Sequence, residues 1–291
     1  MMPDSESGHE PGGVMGTELA DNETREIRWG VVGLIAAIAL VGILGPKLLW
    51  MNTGYASMVG SLPIDVQFLI HPVLQMVLVF VGWLLVLRLK PVGASASMGL
   101  MTGWGLACKG IGVGLVCTLP MLLVGLMSSS YTPSHYEILY ADLSPGLTEE
   151  IFFRAFMFGL LVQVGRCPMW ATAVITGIVF GLAHVDLTPD EGQTIVGQLG
   201  PWIAMIALGG FMYAWLYWES GWNLWLVITL HAGMNLWWDM FDLTQTPLGN
   251  WGATGARFAS VGLVVLCVVG LRVFGQRPGA TIGHEYTTID P

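Results

Sequence analysis

The sequence predicts an all-α protein, a polytopic transmembrane helix bundle with about eight spans. Its composition is the first reason: 54% of the 291 residues are hydrophobic and only 11% are charged, against roughly 25% charged residues in soluble domains. The mean hydropathy of +0.66 is the second. The third is the recurrence of apolar runs close to the ~20 residues that an α-helix needs to cross a bilayer.

These apolar runs set the predicted order of helices. They cover residues 29–50, 66–89, 110–127, 145–164, 169–186, 200–218, 222–241 and 256–274. The third run is the hardest to delimit, because residues 97–108 form an apolar, glycine-rich lead-in and Lys109 interrupts it. Dividing residues 97–127 into two crossings would invert the orientation of one half of the bundle.

The two ends of the chain differ from the spans. Residues 1–26 are polar and acidic and have no apolar core, which predicts a disordered cytoplasmic tail and not a signal peptide. Residues 279–291 are expected to be a short C-terminal tail, so residues 27–278 form one transmembrane domain. The net charge of −9 comes largely from the N-terminal tail and argues against a nucleic-acid partner, which calls for a basic patch.

The positions of Lys and Arg predict the orientation of the bundle, because short cytoplasmic segments are enriched in them. With the N-terminus inside, only Lys47 and Arg257 lie outside. Seven cationic residues lie on the cytoplasmic side: Arg25, Arg28, Arg88, Lys90, Arg166, Arg272 and Arg277. We therefore expect an integral membrane protein with both termini cytoplasmic. The expected location, which this count does not address, is the inner (plasma) membrane of a bacterium.

Ionisable residues at helix depth are the candidates for function, because each costs ~2.5–3.5 kcal/mol on insertion scales. The main ones are Glu149, Glu150, Arg154, His184 and His231, and Asn235, His71 and Lys109 accompany them.

The first group lies in the sequence LSPGLTEEIFFRAF. Glu150 and Arg154 are four residues apart with the acid first, which favours an ion pair on one helix face. Glu149 points about 100° away from that pair. We expect Glu150 to be held by Arg154 and Glu149 to face a cavity. The alternative is that all three residues form a solvated helix start, where acids favour the helix dipole.

Depth along the helices relates the other polar residues to Glu149. The helical rise per residue places Glu149 and His184 both ~5 Å below the outer boundary of the membrane, so their side chains can meet. His231 and Asn235 share one face of the seventh span, at ~15 Å and ~9 Å from the boundary. Taken alone, this last pair is more typical of hydrogen bonding between helices.

A carboxylate and a neutral imidazole that converge on one water can deprotonate it, and a His/Asn pair can donate to a developing oxyanion. The residues thus resemble the parts of a peptide-bond hydrolase that forms no acyl-enzyme. Ser144, Thr148 and Cys167 are near in sequence, but none has an evident base and orienter. Two Glu and two His also suit Zn²⁺ as ligands, although no H-E-x-x-H spacing is present. We expect neither a metal nor another cofactor.

Three motifs then resemble those of one family. Glu149-Glu150-Ile-Phe-Phe-Arg154 is similar to E-E-x-x-x-R, Phe180-Gly-Leu-Ala-His184 to F-x-x-x-H, and His231-Ala-Gly-Met-Asn235 to H-x-x-x-N of the CPBP family. These are the CAAX protease and bacteriocin-processing (Abi) intramembrane glutamic proteases. All three occur in the family's order within residues 143–240, and GWNLW at 221–225 resembles the segment found before the third.

The resemblance implies a role for each matched residue. Glu149 would be the general base that activates water with His184, and His231 with Asn235 would form the oxyanion hole. Glu150 and Arg154 would shape the site, and Phe180 would line the pocket. The implied activity is an endopeptidase, and the implied partners are the bilayer and a membrane-anchored or lipidated protein or peptide substrate. Two other functions stay open: a non-catalytic membrane scaffold or bacteriocin-immunity protein, and a proton-coupled carrier that uses Glu and His as a relay.

Overall fold

The structure is a computed structural model that describes residues 26–87, 99–100, 103–127, 142–187, 194–241 and 251–275. These residues form helices and short connections and contain no strand, which confirms the predicted all-α class. The predicted tails lie outside the described residues, apart from Glu26.

Eleven α-helices and two π-helices follow one another along the described part of the chain. The α-helices are α1 (Trp29–Met51), α2 (Thr53–Gly60), α3 (Ile64–Leu87), α4 (Trp104–Met127), α5 (Ser144–Glu149), α6 (Leu160–Gln163), α7 (Met169–Ala183), α8 (Ile195–Gln198), α9 (Pro201–Glu219), α10 (Leu224–Met240) and α11 (Trp251–Val265). The π-helix π1 (Glu150–Gly159) joins α5 to α6, and π2 (Leu266–Gly270) extends α11.

Each of the eight predicted runs coincides with a helix or with a continuous series of helical segments. Among the described residues, four segments are long and apolar enough to cross a bilayer by length and composition: Trp29–Met51, Leu69–Val86, Trp104–Met127 and Trp251–Gly270. The others are shorter or less apolar, so the total of about eight crossings stays a prediction.

Two boundaries differ from expectation, and in both cases a cation is accommodated within a helix. Helix α4 runs without a break from Trp104 through Lys109, whose ammonium lies 5.9 Å from the ring centroid of Phe274. Helix α11 begins at Trp251, five residues before the predicted start, so Arg257 lies well inside the helix and not close to its end. Its guanidinium stacks 3.7 Å from the ring centroid of Trp238, and such cation–π contact offsets part of the cost of burying a charge.

Glycines allow the closest helix contacts. A Cβ at Gly177 would lie 2.8 Å from the carbonyl oxygen of Ala207, and one at Gly181 would lie 2.9 Å from that of Ile203, so α7 and α9 pack backbone to backbone. A Cβ at Gly114 of α4 would likewise lie 3.1 Å from the carbonyl oxygen of Leu226 in α10. Without a hydrophobic force between helices in lipid, such small-residue contacts are a main source of helix association.

The π-helix π1 is the centre of the bundle. All ten of its residues are buried, and it packs against α3, α7, α9 and α10. A helix that is buried on every side has no lipid-facing stripe, which explains how it can carry two charged residues, Glu150 and Arg154. Short π-helical segments occur frequently at functional sites.

Candidate active site

The site forms where α5 crosses α10. A Cβ at Gly146 would lie 2.6 Å from the Cβ of Ala232 and 2.8 Å from its backbone nitrogen, so the two helices touch at this point. Ala232 directly follows His231, and Gly146 precedes the two glutamates by less than one and a half turns. The contact therefore brings His231 against the glutamates.

Helix α10 is itself fixed by polar contacts to α4. The side chain of Asn223 caps α10 by accepting from the backbone N–H of Leu226, and its amide donates to the carbonyl oxygen of Leu106 at 2.9 Å. Farther along, the indole of Trp237 donates to the hydroxyl of Thr118 at 3.0 Å. These bonds lie on both sides of His231 and hold its helix in register.

Glu150 is completely buried and contacts two other polar side chains. Its Oε2 lies 3.0 Å from Nε of Arg154, which is 1% exposed, and its Oε1 lies 2.7 Å from Nδ1 of His231. The arginine is close enough for an ion pair, although the geometry does not meet hydrogen-bond criteria. The contact with Arg154 is the local one that the i,i+4 spacing predicted; the contact with His231 was not predicted.

Aromatic rings surround the Arg154 guanidinium. It lies 4.3 Å from the ring centroid of Phe180 and 5.3 Å from that of Tyr213. Tyr213 also stacks on the His231 ring, with centroids 5.3 Å apart and planes at 18°, and its hydroxyl contacts the sulfur of Met234 at 3.5 Å. Sequence reasoning missed Tyr213, because an aromatic residue in an aromatic-rich helix carries no spacing signal of its own.

Glu149 and His184 form the more open half of the site. Their side chains are 25% and 30% exposed, and Oε1 of Glu149 lies 4.0 Å from Nε2 of His184. That distance is too long for a direct hydrogen bond, but a water can bridge it. Oε2 of Glu149 lies 4.0 Å from Nε2 of His231 as well.

The contact of Nδ1 determines the tautomer of His184. Nδ1 lies 2.8 Å from the carbonyl oxygen of Phe180, which can only accept, so Nδ1 carries the hydrogen. In the neutral ring, Nε2 then presents its lone pair on the side of Glu149. The Phe180 ring packs edge-on against His184 with centroids 4.8 Å apart and is buried, so it supports the histidine.

His231 lies nearer to Glu149 than the depth estimate implied. That estimate separated the two residues by ~10 Å because it measured every helix from one common boundary. The contact of Gly146 with Ala232 sets the actual stagger of the helices. Asn235 lies one turn beyond His231 on α10 and is half-buried, so its role at the site stays a prediction.

The arrangement provides groups that accept and donate protons around one point. The thiol of Cys167, considered from the sequence, lies in the connection between α6 and α7, beyond the end of the helical series that contains Glu149. Burial raises its pKa, which disfavours the nucleophilic thiolate. Within the described ranges, no group of three or more His, Cys, Asp or Glu residues is placed to hold a metal ion.

Together, the fold and the site define a helical membrane protein with a buried polar centre of two glutamates, two histidines and an arginine. Residues 132–237 match the sequence model of one family, described as type II CAAX prenyl endopeptidase Rce1-like. The matched segment contains the whole candidate site from Glu149 to Asn235 and confirms the family that the three motifs indicated. It supports an intramembrane endopeptidase. No curated protein and no solved structure matches the chain.

Proposed function

We propose that this protein is an intramembrane glutamic endopeptidase that cleaves a membrane-anchored or lipidated protein or peptide with a water activated by Glu149 and His184. The observation that carries the proposal is the pair of 4.0 Å distances from the Glu149 carboxylate to Nε2 of His184 and of His231. A partly exposed carboxylate between two imidazoles suits a water that must lose a proton and a carbonyl that must gain charge.

In the proposed reaction, water bound between Glu149 and His184 gives a proton to one of them. Its oxygen attacks the carbonyl carbon of the scissile amide, and the carbonyl oxygen becomes an oxyanion. When the carbon–nitrogen bond breaks, the proton passes to the leaving amine. The products are a new carboxylate and a new amine, and no covalent enzyme intermediate forms.

The oxyanion would lie against His231 and Asn235. Because Nδ1 of His231 donates to Glu150, His231 has a hydrogen on Nε2 only as the imidazolium. The buried Glu150 carboxylate supports that charge and orients the ring, as the acid does in a carboxylate–histidine pair. Glu150 thus contributes through His231, whereas Arg154 holds the Glu150 carboxylate in place.

A comparison of membrane proteomes tests this function. Cells with the wild-type protein should contain new N- and C-termini, near the end of a membrane segment, that are absent from cells with Glu149→Gln. The identity of these termini names the substrate. Identical termini in the two strains, with both proteins present at equal levels, would argue for the scaffold or carrier instead.

The metal alternative has its own test. A water activated by Glu149 and His184 needs no ion, so turnover should survive exhaustive chelation. Elemental analysis of the purified protein should find no stoichiometric zinc. Loss of turnover on chelation and its recovery with added zinc would favour a metal-dependent protease over the proposed mechanism.

The predicted orientation puts the site near the outer face. Thiol labelling of intact cells tests it, in a background that lacks the four native cysteines. A cysteine at Val196, next to the site end of the bundle, should react with an impermeant reagent, and one at Arg166 should not. The reverse pattern would overturn the orientation and leave the proposed chemistry standing.

A further inference from the structure

A second polar cluster lies at the same end of the bundle as Glu149 and His184, and its members on α1 and α3 lie outside the segment that the family model matches. It surrounds a cavity of about 250 Å³ between α1, α3 and the connection that follows α7. Lys47, His71 and Asp186 supply the polar wall of this cavity, and Trp50 and Leu187 supply part of the apolar wall. The reaction proposed above uses none of these side chains.

Backbone contacts hold the two charged residues in place. The Lys47 ammonium donates to the carbonyl oxygen of Val185, which leaves it two further hydrogens. The backbone N–H of Asp186 donates to the side chain of Gln198 at 2.8 Å, and the Gln198 amide donates back to the Asp186 carbonyl at 3.0 Å. The cavity therefore has a positive group whose ammonium is held in place and a negative group whose backbone is held in place.

His71 adds a buried polar atom that lacks a hydrogen-bond partner among the described residues. Its ring packs edge-on against Trp50 and Tyr55, at centroid distances of 5.7 and 6.0 Å. Its Nε2 is buried and has no hydrogen-bond partner among the described residues. A buried nitrogen without a hydrogen bond costs free energy in an apolar setting. A polar ligand in the cavity would supply the missing hydrogen bond.

The cavity lies at the edge of the apolar spans and next to the lipid-facing surface. Lys47 lies four residues before the end of α1, and His71 is two residues inside the apolar segment Leu69–Val86. Trp50 and Met51 are 49% and 51% exposed on the outside of the bundle. Tryptophan at such a position is typical of the level of lipid headgroups.

We propose that this cavity binds the headgroup of a phospholipid with a primary amine, such as phosphatidylethanolamine. The phosphate would accept from Lys47 and His71, and the ammonium would donate to Asp186. Because the cavity contains both a positive and a negative group, a zwitterionic ligand fits it better than a purely anionic or a purely apolar ligand does. The position of the cavity at one end of the apolar spans, beside the exposed side chains of Trp50 and Met51, favours a lipid over a peptide.

The bound headgroup would also act on the proposed reaction. Val185 and Asp186 directly follow His184, so a ligand held by Lys47 and Asp186 fixes the segment that ends at the proposed water-activating histidine. This consequence rests on the proposed function, whereas the binding itself does not. Activity should therefore be higher in vesicles with phosphatidylethanolamine than in vesicles of phosphatidylcholine alone.

Binding of short-chain lipids to the purified protein in detergent tests the proposal. Native mass spectrometry or a thermal shift should show dioctanoyl phosphatidylethanolamine binding about tenfold more tightly than the phosphatidylcholine or phosphatidylglycerol analogue. Asp186→Asn should remove the preference for the primary amine over choline. Lys47→Met should weaken both zwitterionic lipids, and Lys109→Met, which removes a cation at the other end of the bundle, should weaken neither.

Two variants keep the test decisive. If Lys47→Met does not fold, His71→Phe preserves the ring packing and should still weaken lipid binding. Glu149→Gln should bind the lipid as the wild type does, which separates a failure of this proposal from a failure of the proposed protease. Equal binding of the three lipids overturns the proposal. So does a peptide substrate whose KM rises in Asp186→Asn while lipid binding is unchanged, because the cavity would then be a peptide subsite.

Discussion

The two glutamates of the site are neighbours in the chain and opposites in their surroundings. Glu150 is completely buried, 3.0 Å from Arg154 and 2.7 Å from His231. Glu149 is partly open, and the nearest histidine nitrogens lie 4.0 Å from it. Glu150 is therefore held in place by its neighbours, whereas Glu149 is accessible to water. Under the proposed mechanism, this difference gives Glu150 a structural role and Glu149 the chemical role.

The largest expected effect is that of Glu149→Gln. The amide keeps the shape of the side chain but loses the basic oxygen, so turnover should fall by about 10²–10⁴-fold. Thermal stability in detergent should stay at the wild-type value, because the side chain is partly exposed and has no short contact to lose. Glu219→Gln, at the far end of α9, is the matched control and should keep its activity. Turnover near the wild-type rate in Glu149→Gln would remove the distinction between the two glutamates.

Arg154→Ala is expected to act on stability as well as on activity. It leaves the buried Glu150 carboxylate without its ion-pair partner, a change that costs about 3–5 kcal/mol in buried pairs. The melting temperature in detergent should fall accordingly. The double variant Glu150→Gln/Arg154→Leu removes both charges and should recover much of the lost stability while remaining inactive. An unchanged melting temperature in Arg154→Ala would show that the pair is not structural.

Gly146→Ala tests how the two halves of the site are held together. A Cβ there would lie 2.6 Å from that of Ala232, so α5 and α10 must move apart and His231 must move away from Glu150. Overpacking of this kind costs about 1–3 kcal/mol, and activity should fall with stability. Gly209→Ala is the control, because a Cβ at that position has nothing within 4 Å. Equal behaviour of the two variants would show that the close crossing is not required.

The smallest expected effect concerns Tyr213. Tyr213→Leu removes the ring that stacks on His231, an interaction worth about 0.5–1.5 kcal/mol, so kcat should fall about two- to tenfold with little change in KM. Tyr213→Phe keeps the stacking ring and should retain nearly full activity. If Tyr213→Phe were as impaired as Tyr213→Leu, the hydroxyl and not the stacking would support His231.

Features that depend only on residues of one helix, such as its apolar length and its i,i+4 contacts, could be predicted from the sequence. The apolar runs gave the helices to within about six residues at each end, and the i,i+4 rule gave the Glu150–Arg154 contact. The boundary at α4 was displaced because hydropathy reads Lys109 as an interruption, whereas the helix leaves the ammonium at its surface beside Phe274. The start of α11 also differs from the predicted run, because Arg257 is accommodated within the helix by its stack on Trp238 of α10.

The sequence by itself determined the class of protein, the helices and the motif residues, because hydropathy and helical periodicity depend only on neighbours in the chain. Only the tertiary structure decided that His231 bonds to Glu150, that Tyr213 stacks on His231 and that Lys47 reaches the backbone beside His184. Those contacts join different helices, so they depend on the stagger and rotation of each helix against the next. The close helix contacts at Gly146, Gly177 and Gly181 set this stagger and rotation. Which glycines make such contacts is decided only when the helices pack together.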